Sequence, residues 1–535
     1  MAAAPTDLHH GSFSDTPPWT LDDPRSLAWR HGLDEVRARV AAEVPELTAP
    51  NHRPPGARLV RVTRWLGAAV AAWAVAERRR GGGASRAGIS RRLRLAAERL
   101  GPTYIKLGQI ISSGQGIFPP ELVGQFALLR DKVPAEPYQV VRDVVEADLG
   151  RPVEDVFRWI DRTPLAAASI AQVHAATLRT GEPVVVKVQR PTVARLVRDD
   201  LRVMAWLAPK LVGRIPIAAL ANPPALVELF AQTITEELDF RLEADNMLDV
   251  ARTFAELDQR GYVIPRPHPS LVTPRVLVME RLDGFRFDDV VGMRGAGVDT
   301  EAVVRTGMVG FLEGAVIHGI FHGDLHGGNL LVMADGRTAL LDFGITGRLD
   351  EPRRIAFLRL LMAGSTNDLL GQLAALRDLG VLPPGADLDH VVRELGLDRP
   401  PVDPTTMSAE QLVGELQGVV KALLGLGARM PKELMLFVKN MVFVDGAIAT
   451  LAPDLDLFDE IAQLSLHFAA RHGERILADV GVDPRLVDVD LDGVRASLGL
   501  PGDGAGLTHR DIQDRREAVR RNLGERPPRR SRRRR

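Results

Sequence analysis

Three side chains in the second half of the chain have the types and the spacing that phosphoryl transfer requires. Residues 321–332 read FHGDLHGGNLLV and residues 339–344 read ALLDFG. Asp324 and Asn329 lie five positions apart, and Asp342 follows Asn329 by thirteen. Transfer of a γ-phosphoryl group needs Mg²⁺ on the phosphates, and Mg²⁺ takes hard oxygen ligands in an octahedral array. Asn329 and Asp342 supply such oxygens. Asp324, on a loop facing the metal, would orient the acceptor or take its proton. ATP and Mg²⁺ are therefore the expected cofactors. The bland alternative is a metal-free turn whose Asp and Asn satisfy loop backbone. Both spacings and both flanking apolar runs, LLV and ALL, argue against it. A zinc site on His322, Asp324 and His326, alternate positions of an extended loop, ranks lower. His322 is given an orienting role, and His326 is unassigned.

Protein kinases carry the same Asp–Asn–DFG succession, together with a lysine in a β-strand of the first half. Lys187 sits in PVVVKVQRP (183–191), a β-branched run between turn signals. Alternation puts Val186 and Val188 on one face and Lys187 with Val185 and Gln189 on the other. An unpaired ammonium on that half-apolar face is costly, so Lys187 needs phosphates and a carboxylate. The segment ITEELDFRLEADN (234–246) offers Glu236, Glu237, Asp239 and Glu243; Glu236, Phe240 and Glu243 share one helical face, as do Asp239 and Glu243, which leaves the partner open. No GxGxxG precedes the strand. In its place stands PLAAASIAQVH (164–174), whose Ala166, Ala167, Ala168 and Ser169 are confined to φ < 0 where glycine would not be.

These groups need a fold around them, and the 535 residues are enough for three to four domain equivalents. Lys+Arg 68 against Asp+Glu 69 gives −1, so no global field recruits a partner. Zero cysteines exclude disulfide scaffolds, thiolate metal sites and cysteine nucleophiles. Residues 1–11 lack the basic start and apolar core of a secretory signal. Only 7 of the 68 basic residues are lysine, mainly a composition bias, though a site that needs a compact, tunable charge cannot drift to Arg. Residues 1–55 read as irregular, 81–83 (GGG) as a hinge and 86–100 as helical. Strand texture begins near 150 and includes RVLVME (275–280), and 300–470 is mostly helical. No run of 18 uncharged apolar residues occurs, so no membrane span is expected. The twelve residues from Trp65 to position 76 (WLGAAVAAWAVA) read as a small-residue packing helix, with a helix lying on a membrane surface as the alternative. Residues 509–535 hold 12 Arg and 4 acids, a net of 12 − 4 = +8, and read as a solvated tail. Contact with acidic lipid is an alternative, and no specific nucleic-acid partner is expected because the tail has no aromatic to stack on a base.

GPTYIKLGQ (101–109), AAASIAQVH (166–174), VVVKVQRP, EELDFRLEADN, FHGDLHGGNLL and LLDFGITGRL occur in one order, and together they resemble the UbiB/AarF/ADCK family of atypical kinase-like proteins over roughly residues 95–460. The resemblance implies an α+β, bilobal protein-kinase-like fold with a β-rich N-lobe, a mostly helical C-lobe and a helical N-terminal extension packed over the active site. It maps Lys106, Gly108 and Gln109 onto the KxGQ motif and Ala166–Ser169 onto the nucleotide loop. Glu237 and Asp239 fall on the ExD pair and Glu243 on the helix acid beside Lys187. Asp324, Asn329 and Asp342 fall on the catalytic and metal positions. The interlobe hinge falls at 279–282, so Glu280 and Leu282 should meet the nucleotide. The chain departs from HxDPHPGN at Leu325 and Gly327, and lacks the Arg and Asp that often follow KxGQ.

The expected organisation is 1–94, a poorly ordered N-terminus and an Ala-rich helix; 95–149, the KxGQ extension; 150–283, the N-lobe; 284–470, the C-lobe; and 471–535, a helical segment and the Arg-rich tail. The expected function is an ATPase or a phosphotransferase to a small or lipid-like acceptor, linked to ubiquinone or other isoprenoid-lipid metabolism. A protein substrate is disfavoured, since DFG runs almost directly into a helix with no activation segment. The rivals are a small-molecule kinase of the aminoglycoside or choline type and a non-catalytic ATP-binding regulator. The expected location is cytoplasmic, with peripheral contact at the inner membrane face through the Trp65 helix or the tail as an elaboration.

Overall fold

The computed structural model describes residues 12–21, 23–49, 54–112, 118–129, 133–211, 223–398, 407, 411, 418–419, 422–423, 425–487, 489–497 and 506–522. The end of the Arg-rich tail, 523–535, and the residues just after KxGQ, 113–117, lie outside them. The chain folds into two compact units. The first comprises 1–286, 322–333 and 337–346; the second comprises 287–321, 334–336 and 347–535. The fold is the α+β, kinase-like one, with an antiparallel sheet in the first unit and helices dominating the second.

Up to residue 286 the strands of the first unit are β1 (Phe157–Ile160), β2 (Ala166–Ala167), β3 (Ala171–Leu178), β4 (Pro183–Gln189), β5 (Tyr262–Val263), β6 (Pro267–Val272), β7 (Val276–Glu280) and β8 (Phe285–Arg286). The main sheet runs β1-β3-β4-β7-β6, with β2 paired to β3. Lys187 stands opposite Val173 of β3 and Leu277 of β7. Pleating divides β4 as alternation requires. Val184, Val186 and Val188 enter a core with Val141, Val144 and Val145 of the helix Tyr138–Leu149, while Lys187 points to the other side.

A second core in this unit joins the N-terminal helices to the helices Val193–Leu211 and Pro223–Glu236. The sequence expectation of irregular structure over 1–55 is corrected here. Residues 33–48 form the helix Leu33–Thr48, whose Val44 and Leu47 enter that core, and Phe13 and Leu21 are buried upstream of it. Pro and polar residues dominate the count, but the few apolar ones recur at helical spacing. Arg58 clamps Asp200 with two nitrogens at 2.6 and 2.9 Å and donates to Leu100 O, tying helix Gly56–Ala76 to helix Val193–Leu211.

Two helices are long and apolar enough to cross a membrane by length and composition, against the expectation of none. They are Gly56–Ala76, mean hydropathy 1.3, and Lys432–Leu451, mean hydropathy 1.6. Counting only uncharged runs misses them, because the first helix carries 65–76 back through Arg64 and Arg61. The second is 44% buried over its apolar window, as a core helix is.

The second unit contains the helices Thr300–Glu313, Glu351–Ser365, Lys432–Leu451 and Leu457–Val480. Phe311, Phe321, Phe357 and Phe437 pack edge-to-face and stacked at its centre. The expected tail is ordered over its first half as the helix His509–Asn522, where His509 and Arg516 both reach Asp445.

Candidate active site

Every group of the site belongs to the first unit. Lys187, held mid-sheet, places Nζ 2.6 Å from Glu243 Oε1 and 3.0 Å from Asp342 Oδ2. Glu243 lies in the first turn of the helix Phe240–Glu256, 3% exposed, and is thus the partner that spacing alone left open. Burial opposes charge on Lys187, but Asp342 and Glu243 outweigh it and hold the ammonium well above the usual lysine range. Burial pushes the Glu243 carboxyl up to about 7, with Lys187 pulling the other way. Burial would raise Asp342 too, but Lys187 and Lys106 hold it well below the ordinary carboxylate range.

Residues 234–246 are not one helix. The chain leaves helix Pro223–Glu236, turns through Glu237 and Leu238, and restarts at Phe240. Asp239 caps the new helix, its side chain accepting from Arg241 N and paired with the Arg241 guanidinium at 2.6 Å. The two ExD carboxylates therefore part company. Asp239 makes a cap, whereas Glu237 enters the site and meets Lys106 Nζ at 2.8 Å.

Lys106 comes from the helix Pro102–Ser112, and its Nζ is also 3.9 Å from Asp324 Oδ2. Burial opposes its charge, and Glu237, Asp324 and Asp342 together raise its pKa. Gly108 is a packing position, since a Cβ there would stand 2.4 Å from Leu129 Cδ1. Gln109 lies three residues after Lys106, on the same stretch of helix.

The catalytic loop and DFG are wired together through backbone. His322, 3% exposed, closes the strand β9 (Ile320–His322). Its Nδ1 accepts from Asp324 N at 3.1 Å, so the proton sits on Nε2, which donates to Asp342 O. Burial pushes this imidazole down to about 4, which keeps it neutral, and both of its nitrogens are engaged by backbone. Asn329, between the loop and β10 (Leu330–Val332), donates Nδ2 to Asp324 O at 3.1 Å and accepts Leu341 N at its carbonyl. Asp342 Oδ1 accepts Gly344 N at 2.9 Å. A Cβ on Gly344 would meet Glu237 Cγ at 3.3 Å, so the DFG glycine lets the Glu237 side chain lie against it.

Asn246, which the motif reading gave no role, donates to Phe343 O at 2.9 Å, and Glu243 Oε1 accepts Phe343 N at 3.4 Å. Their spacing of three on one helix was the available signal. The alanine loop is a tight β2–β3 connection, with Ala166 and Ala167 paired to Val173 and Gln172 and Ala168 N bonded to Ala171 O. Among the described residues the non-glycine positions with positive φ are Asp258 and Asn367, so this loop keeps ordinary backbone. Ser169 is 5% exposed, and Arg190, which the VVVKVQRP run contains but the motif reading gave no role, donates to Ala168 O and Pro134 O.

Glu280 does not turn toward these groups. Its carboxylate accepts Ser14 Oγ and Arg266 N, and its own N–H is bonded to Arg266 O. The side chain anchors the N-terminal segment, a contact between residues too distant in sequence for motif reading. Leu282 is half-buried two positions on. A cavity of about 440 Å³ lined by Trp29, Asp148, Arg241 and Arg275 lies elsewhere, with none of the site residues in its wall.

The donor chemistry at Asn329 and Asp342 fits Mg²⁺, for both offer hard oxygens and Asp342 keeps its side chain 41% exposed while Lys187 is 11% exposed.

The ABC1 atypical kinase-like domain matches residues 128–373. The chain is 35% identical over 379 residues to an uncharacterized protein of Mycobacterium tuberculosis, covering 69% of this chain and 76% of that one. It is 32% identical over 382 residues to the Arabidopsis thaliana chloroplastic protein named ACTIVITY OF BC1 COMPLEX KINASE 1, covering 69% of this chain and 54% of that one. It is 31% identical over 376 residues to an Aliivibrio fischeri protein named Probable protein kinase UbiB, covering 69% of each.

Proposed function

We propose that this chain, which belongs to the ABC1 atypical kinase-like (UbiB/AarF) family, binds ATP with Mg²⁺ at the Lys187–Asp342 site and either hydrolyses it or transfers its γ-phosphoryl group to a small or lipid-like acceptor. The observation that carries the reading is the convergence of a strand ammonium, a helix carboxylate and the DFG carboxylate within 3.0 Å of one nitrogen.

In this reading Lys187 releases Asp342 and binds phosphate oxygens, while Glu243 keeps the ammonium aimed. Asn329 and Asp342 would hold Mg²⁺, which supplies charge neutralisation at the phosphates. Asp324 orients the acceptor hydroxyl or water and takes its proton. His322 fixes the spacing of the Asp324 and Asp342 backbones. Lys106 balances the negative charge of Glu237 and Asp324 beside the transferring group.

Six residues, 345–350, separate DFG from the helix Glu351–Ser365, which is too few for a protein-docking segment and favours water or a small acceptor. Helix Gly56–Ala76 exposes Val60, Val70 and Val75 by 68, 46 and 85%. These exposed valines, interspersed with the exposed Arg61 and Arg64, support a lipid-like acceptor met at a membrane surface, and with it the link to isoprenoid-quinone chemistry. The aminoglycoside-type reading gives no role to Lys106, whose pairing with Glu237 favours the family reading.

The test is nucleotide binding and phosphate release by the full chain, with and without Mg²⁺, in the wild type and in Asp342→Asn. Binding should depend on Mg²⁺ and weaken at least about tenfold in the variant, roughly 1.4 kcal/mol. Unchanged affinity in Asp342→Asn would refute the metal assignment.

A further inference from the structure

A cluster that takes no part in the phosphoryl-transfer motifs, and lies wholly inside the second unit, has the composition of a transition-metal site. Glu313 is the last residue of helix Thr300–Glu313 and is 1% exposed. Its Oε1 is 2.9 Å from His467 Nε2 and 2.9 Å from His472 Nε2, both from helix Leu457–Val480. One ligand atom from each of the three residues lies within 4.8 Å of the others. We propose that Glu313, His467 and His472 bind a divalent transition metal that favours imidazole, with zinc the ion that fits the donor set.

Two imidazoles and one carboxylate are a three-ligand zinc set that leaves a fourth position for water. Mg²⁺ and Ca²⁺ favour all-oxygen shells and do not match it. With bonds of about 2.0–2.1 Å, ligand atoms in a tetrahedral shell stand roughly 3.3 Å apart, so the present 2.9 Å separations need open by only a few tenths of an ångström. The side chain of His467 is 35% exposed and that of His472 10%, which gives the ion a path in while burying most of its shell. Phe468 packs on both imidazoles, with centroids at 5.8 and 5.6 Å, and limits their rotation.

Backbone geometry adds an independent sign. Directly after Glu313 the α-helix widens into a π turn, Gly314–His318, a form that clusters at functional positions. The competitor for the carboxylate is Arg471, whose Nε is 3.6 Å from the same Oε1. Its side chain is 40% exposed, so it can yield to a cation by swinging into water. A bound ion would staple helix Leu457–Val480 to helix Thr300–Glu313. The same contacts without an ion would be an ordinary hydrogen-bonded triad, and the experiment separates the two.

Full-length protein is stripped with chelator, dialysed against Zn²⁺ in excess Mg²⁺, and its bound metal measured by atomic emission. Wild type and Asp342→Asn should each retain about one equivalent of zinc. His467→Gln/His472→Gln and Glu313→Gln should retain none above background, and Co²⁺ should give tetrahedral visible absorption in wild type and Asp342→Asn but not in these two cluster variants. Zinc should also raise the melting temperature of wild type and not of the cluster variants. Should the double variant fail to fold, the part-exposed single change His467→Gln, checked by circular dichroism, carries the same comparison. Equal zinc retention by wild type and the Glu313 and His467/His472 variants overturns the proposal. So does a folded wild type that retains none, which leaves the triad as hydrogen bonds alone.

Discussion

The Lys106 ammonium lies 2.8 Å from Glu237 Oε1, an ion pair that brings the KxGQ helix against the turn preceding the helix Phe240–Glu256. Lys187 answers it from the strand side, on Glu243 and Asp342. Two lysines thus face four carboxylates, counting Asp324, in the free protein, and nucleotide phosphates must enter by replacing carboxylate on at least one ammonium.

Glu243→Gln removes the buried half of the Lys187 bridge and leaves Asp342 as its anion. Breaking a buried pair costs about 3–5 kcal/mol, and the remaining partner should keep the loss near the lower end. The expected outcome is a lower melting temperature together with weaker Mg²⁺-nucleotide binding, because Lys187 then holds Asp342 more tightly. A thermal melt and a nucleotide titration on the same preparation check both.

Asp200 is 0% exposed, with both carboxylate oxygens on Arg58. Asp200→Ala should cost about 3–5 kcal/mol by stranding the guanidinium. Arg58→Met/Asp200→Leu should recover much of that, since two apolar side chains need no charge partner. Urea unfolding of the three proteins reads the difference directly.

Gly108→Ala forces a methyl to within 2.4 Å of Leu129 Cδ1, and Leu129 is fully buried. Alanine gains about 1 kcal/mol of helix propensity over glycine, but overpacking costs about 1–3 kcal/mol, and Leu129 has no solvent to retreat into. The net should be destabilising. Leu129→Ala in the same chain should turn the coupling favourable, which a double-mutant cycle measures.

His322 is neutral in the folded protein down to about pH 4, against 6.5 in the unfolded chain. Between those values the unfolded state binds more protons, so stability is complete above pH 6.5 and falls as pH drops toward 4. The full effect is about 3 kcal/mol at 1.36 kcal/mol per unit. Urea midpoints from pH 7.5 to 4.5 should fall less steeply in His322→Gln than in wild type.

The spacing of Asp324, Asn329 and Asp342, the strand around Lys187 and the KxGQ motif were all readable from the chain, because their chemistry is written in short segments with fixed periods. Alternation in β4 settled which face Lys187 takes. What no segment could state is which distant acid answers each lysine. The turn at 237–239 splits an apparently continuous helix, sending Glu237 to Lys106, Glu243 to Lys187 and Asp239 to a cap. Glu280 is claimed by Ser14, more than 260 positions away, and the Glu313–His467–His472 cluster spans more than 150 positions. Periodicity and local charge act over one or two turns of chain. Partnership among buried charges is decided by packing, which brings remote segments together and leaves each ionised group only the counter-charge that lies within reach.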